Sequence, residues 1–188
     1  MMAAHPPGRH LLNNALGFAA GARHATSMPE RHAGQVVLQS LGNAIELSLK
    51  SILQTHGWSD DRCRREIRHD LVKALAAAED LGFRPSDPAL APFIALLSPF
   101  HRSHCMAVLA ACTSQAAFYE HGVGMTEQLL RDIVLWLPRH ESERSVGFFV
   151  TGLRRERGSR RPSRRLPRWL LLFRKSPCRP RATSPSTS

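Results

Sequence analysis

The sequence predicts an all-α protein, and three observations carry that prediction. Apolar residues recur every three or four positions through several stretches. Glycine or proline stands at the ends of those stretches, and no convincing period-two strand appears apart from an isolated Ser145 to Thr151. The expected architecture is an antiparallel bundle of four or five helices over residues 30–140. A flexible extension over 1–29 precedes it, and a disordered basic tail over 141–188 follows.

Residues 1–29 read as an extension because Pro6, Pro7, Gly8, Gly17, Gly21 and Pro29 interrupt them, leaving a weak apolar patch from Leu11 to Ala20 for a short helix. From Gly34 the pattern sharpens. Val37, Leu41, Ala44, Ile45, Leu49 and Ile52 form an amphipathic stripe, and Gln39, Asn43, Glu46, Lys50 and Gln54 fall on the opposite, polar face. Gly57 stands where a left-handed C′ residue is wanted. A charged connection follows, Trp58 to Arg68. Asp70 then caps a helix striped by Leu71, Ala74, Leu75, Ala78 and Leu81, which Gly82 closes. Asp87 and Pro88 open a third helix that Pro99 is expected to stop. Residues 101–119 are Ala-rich and helical in character. Gly122 and Gly124 are expected to break the chain, after which Thr126 caps a last helix through Leu137.

The chain has 188 residues and a formal charge of +11, and that charge is unevenly placed. Residues 153–188 hold 12 of the 26 Lys and Arg side chains and one acid, Glu156, so the body is neutral and the tail cationic. A Pro-broken, Arg-rich tail buries too little surface to offset its ordering entropy. Arg160, Arg161, Arg164 and Arg165 are its candidate nucleic-acid contacts, acting through phosphate with little sequence preference. Trp169 to Phe173, flanked by Arg168 and Arg174, suits base stacking or an anionic membrane surface. The Arg-over-Lys skew would also arise from a shifted reading frame in GC-rich DNA, a reading that in-register alignment of the tail with related genes would refute. No apolar run approaches the roughly 18 residues of a spanning helix, so no transmembrane segment is expected. Four cysteines outside any CxxC pair read as reduced thiols, which points to the cytoplasm.

The segment Glu46-Leu-Ser-Leu-Lys50-Ser-Ile-Leu-Gln-Thr-His56-Gly57, a polar loop, and His69-Asp70-Leu71 at a helix start together resemble the HEPN family of small helical-bundle proteins. Leu96 to His104 resembles the end of that family's third long helix, so the likeness covers roughly residues 35–104. It implies a bundle that tends to form homodimers and associates with RNA or nucleotides. It also implies a toxin–antitoxin or defence setting, often beside a nucleotidyltransferase-type partner. Active members are metal-independent ribonucleases with an Arg followed four to six residues later by a His. Arg64 and His69 meet that spacing and are the candidate catalytic pair: imidazole as acid or base, guanidinium on the developing phosphorane charge. They straddle a loop and helix start, however, whereas the family's pair sits on a late helix, and a capping role for His69 is the competing reading. The bland stretch Cys105 to Ala117 also departs from the family, which suggests a degenerate or truncated member.

His101, His104, Cys105 and Cys112 are ligand-type residues, but their spacing matches no established zinc pattern, so neither metal nor cofactor is expected. Asp60, Asp61 and Glu66, interleaved with Arg62, Arg64, Arg65 and Arg68, read as a self-neutralising surface. The alternative to an RNA-associated enzyme is a non-enzymatic helical interaction module whose tail touches nucleic acid or anionic membrane.

Overall fold

The computed structural model describes residues 8–28, 33–113 and 116–137, and these are all-helical, with no strand among them. The elements are α1 (Arg9–Thr26), α2 (Ala33–Thr55), α3 (Asp60–Glu66), α4 (Leu71–Asp80), α5 (Leu90–Arg102), α6 (Met106–Cys112) and α7 (Ala116–Trp136). The strand-like segment 145–151 and the basic tail lie outside the described residues.

Helix α2 is the axis of the bundle, packed by every other helix. Its apolar stripe is buried as expected, but the face read as polar is covered too: Glu46 and Gln54 are buried, and Gln39, Asn43 and Lys50 are half-buried. Gly57 ends the helix at φ +87° and Gly82 ends α4 at φ +92°, both as the sequence predicts. Asp70 caps α4 by accepting from the Lys73 N–H at 3.1 Å.

Four expectations are corrected. Residues 9–26 are not a loose extension but an 18-residue helix whose Leu12, Ala15, Ala19, Ala22 and Ala25 are buried in the main core. Gly8, at φ +86°, lies directly against the Ser51 carbonyl, so α1 runs antiparallel to α2. The charged connection after Trp58 folds as α3, because Ser59 accepts from the Arg62 N–H and Asp60 and Asp61 occupy the first turn. Pro99 does not stop α5, which continues to Arg102. Gly122 and Gly124 do not break α7, and Thr126 is no cap: its hydroxyl donates to the Gly122 carbonyl inside a continuous helix.

Gly122 has a packing role, since a Cβ there would meet Phe93 and Leu41 at 2.8 and 2.9 Å. The pairings Gly34 with Tyr119, Leu41 with Gly122 and His56 with Trp136 run in the same order along both helices. Antiparallel packing thus holds for α1 on α2, whereas α2 and α7 are parallel neighbours. Cys63 and Cys105 are free thiols; Cys112 is not, so the expectation of four reduced thiols does not extend to it. Among the described residues no helix is long and apolar enough to cross a membrane.

Candidate functional site

The line Gly42–Glu46–Lys50 runs along one face of α2, each residue a helical turn from the next. Glu46 is 6% exposed, and its carboxylate is shared by three donors. Lys50 Nζ donates to Oε1 at 2.6 Å, while His101 Nε2 and His69 Nδ1 reach Oε2 at 2.6 and 3.0 Å. Burial alone would push the Glu46 carboxyl up. Hydrogen bonds from His101, Lys50 and His69 outweigh that and hold it down at about 2.

Each partner is placed by a separate element. His69 sits in the turn between α3 and α4, after Arg68 at φ +53°, an uncommon conformation for a residue with a Cβ. Lys50 Nζ fastens that turn by also donating to the Arg68 carbonyl at 2.7 Å. His101 lies on α5 and is 2% exposed; its Nδ1 has no hydrogen-bond partner and faces Gly42, where a Cβ would stand 2.5 Å away. Next to the site, Asp70 accepts from the Ser98 hydroxyl at 3.2 Å and from Arg102 at 3.4 Å. His104, at φ +56°, sets its ring edge-on to His69 with centroids 5.1 Å apart.

With Nδ1–H donating to Glu46, a neutral His69 keeps its Nε2 lone pair on a side chain that is 48% exposed. This is a carboxylate-oriented imidazole, the arrangement that fixes a tautomer and a ring orientation. His104, edge-on to His69, is exposed, as are Arg68, the residue before His69, and Arg102, which reaches the adjoining Asp70.

The chain matches no protein-family model, no curated protein and no solved structure.

Of the candidate pair, His69 belongs to this cluster, whereas Arg64 lies on α3, exposed, and pairs with Asp60 at 2.9 Å. Arg62 likewise pairs with Glu66 at 3.0 Å, so the charged segment neutralises itself as its composition suggests. The ligand-type set is split up. His101 turns inward to Glu46, His104 lies beside His69, Cys105 Sγ contacts the Ser103 carbonyl, and Cys112 lies on α6. Arg160, Arg161, Arg164 and Arg165 lie outside the described residues.

Sequence reasoning missed Glu46, Lys50 and His101 as partners. A signal was present: Glu46 stands between Ile45 and Leu49 in a helix too apolar to leave much of it in water, and a carboxylate there needs donors from elsewhere in the chain.

Proposed function

We propose that this chain is an HEPN-like helical protein that binds RNA or a nucleotide over the turns carrying His69 and His104, and cleaves RNA by acid–base chemistry at His69. The single observation behind the reading is the Glu46-held His69, half-exposed with the exposed His104 edge-on to its ring. In this reading Nε2 takes the proton of a ribose 2′-hydroxyl, the oxygen attacks the adjacent phosphorus, and the P–O5′ bond breaks to give a 2′,3′-cyclic phosphate while the leaving 5′-oxygen takes a proton from water; the cations stabilise the charge that develops on the phosphoryl oxygens. Arg102, held by Asp70 next to His69, supplies the guanidinium in place of Arg64, which Asp60 engages. A homodimer, a nucleotidyltransferase-type partner and a defence role accompany the family likeness.

The test incubates the full-length chain with a mixed RNA pool in EDTA. Wild type should cleave, His69→Ala should lose about 10²–10⁴-fold in rate, and Glu46→Gln should fall between them.

A second reading, a non-enzymatic interaction module, is favoured by the internal saturation of Glu46: three donors make it a polar fastener of α2, α5 and the α3–α4 turn. Absence of cleavage by a wild-type chain that circular dichroism shows to be helical would select that reading.

A further inference from the structure

We propose that Glu46, His69 and His101 form a binding site for one divalent ion of the zinc class, approached from the side on which His69 is exposed. The site does not depend on the ribonuclease reading.

Convergence is the first argument. Glu46 Oε2, His69 Nδ1 and His101 Nε2 all lie within 4.8 Å of one another, and they come from α2, the α3–α4 turn and α5. Zinc holds N and O ligands at about 2.0–2.2 Å, so neighbouring ligand atoms on a tetrahedron stand about 3.4 Å apart. The Oε2–nitrogen separations of 3.0 and 2.6 Å must widen slightly while the nitrogens draw together. Drawing the nitrogens together, by up to about 1.4 Å, falls to His69, half-exposed on its turn, while a Glu46 rotation supplies the widening of about 0.8 Å from the enclosed His101.

The second argument is the state of His101. A histidine only 2% exposed, with one ring nitrogen lacking any hydrogen-bond partner, is an expensive occupant of a helical core. Packing alone would favour an apolar side chain there. A ligand role for Nε2 gives the histidine a reason to be there that packing does not, although Nδ1, turned to Gly42, stays without a partner.

The surroundings agree. Lys50 engages only Oε1, which leaves Oε2 as a monodentate ligand and fixes the carboxylate plane from behind, as outer-shell partners do. Among the described residues, the two non-glycine positions with left-handed backbone, Arg68 and His104, both border the cluster, and backbone strain of this kind concentrates at functional sites. Two imidazoles and one carboxylate suit zinc and its neighbours, not magnesium or calcium, which take oxygen. Three protein ligands leave a further position for water or an anionic ligand, the open form of zinc site. Metal at His69 Nδ1 replaces the proton that Glu46 accepts, so a loaded chain loses the oriented imidazole and should cleave no RNA.

The test uses the untagged full-length chain. It is stripped with EDTA, dialysed against Zn²⁺ and then against metal-free buffer, and its zinc content is measured. Co²⁺ is added separately to read the intense visible absorption of a four-coordinate site. Wild type should retain about one zinc per chain. His69→Ala and Glu46→Gln should each bind at least about 100-fold more weakly, the outer bound for losing even an indirect partner. Excess Mg²⁺ should not compete. Because His69 is half-exposed, its substitution preserves the fold, which circular dichroism checks. Failure of wild type to retain stoichiometric zinc would overturn the proposal. So would equal retention by wild type and His69→Ala, since the metal would then sit on other histidines or cysteines.

Discussion

Replacing Gly42 by alanine tests the central packing of the site. The added Cβ would stand 2.5 Å from His101 Nδ1, 3.0 Å from its Cε1 and 3.1 Å from the Met106 methyl. Alanine in the middle of a helix gains about 1 kcal/mol over glycine in propensity. Against that stand two unfavourable alternatives. If the ring stays, overpacking costs about 1–3 kcal/mol. If the ring is pushed aside, the bond to the Glu46 carboxylate goes, at about 1.5–3 kcal/mol for a hydrogen bond to a charged group. The net expectation is a loss of about 0–2 kcal/mol on the first route and about 0.5–2 kcal/mol on the second. Gly21→Ala in α1 is the internal control: nothing lies within 4 Å of its Cβ position, so only the propensity gain operates and stability should rise by about 0.5–1 kcal/mol. Urea denaturation followed by far-ultraviolet circular dichroism measures both. Opposite signs support the packing described above. A Gly42→Ala chain at least as stable as wild type would refute it, because the His101 ring could not then be confined against α2.

Three further outcomes follow from the same contacts. The Glu46 carboxyl sits at about 2 in the folded chain against its ordinary 4.5. A depressed folded value contributes stability in full above 4.5, and that contribution is lost as pH falls from there through about 2. It amounts to about 3 kcal/mol. Urea midpoints in EDTA should therefore drop across that acid range for wild type, and Glu46→Gln should show a shallower drop. Asp70→Ala removes the cap on Lys73 N–H and the acceptor for Ser98, and should cost about 1–2 kcal/mol by the same denaturation assay. Gly122→Val places a branched side chain between Phe93 and Leu41 and should lower the thermal midpoint in calorimetry more than Gly124→Val, whose Cβ position has nothing within 4 Å.

How much of this was legible depended on whether the cause was local. The stripe of α2, the left-handed Gly57 and Gly82, and the Asp70 cap each depend on residues within a turn or two, and all were readable. Helix α1 was not, because its buried stripe is mostly alanine. Ala15, Ala19, Ala22 and Ala25 signal little hydrophobicity one by one and are buried because α2 and α7 lie close. The glycines of α7 looked like breakers because what Gly122 accommodates, Phe93 and Leu41, lies far away in sequence. The start of α3 carries a local signal in Ser59, Asp60 and Asp61, but its seven residues bury Cys63 alone and so show no apolar stripe. The site was half legible. His69 stood out at its helix start, but Glu46 looked like a surface residue until the bundle closed over it. His101 comes to Glu46 across 55 positions, a separation no local pattern reports.

The parallel course of α2 and α7 also has a consequence for the order of assembly. No hairpin can join two helices that point the same way, so the intervening chain must carry α7 back to the start of α2 before the two can touch. The α1–α2 pair needs only a short reversal and closes at small loop entropy. The Leu41–Gly122 and His56–Trp136 contacts close loops of about eighty residues and form slowly by comparison. Nucleation therefore belongs to the first two helices, and the last helix is the late-arriving clamp. Substitutions along α7 should then speed unfolding while leaving the folding rate nearly untouched.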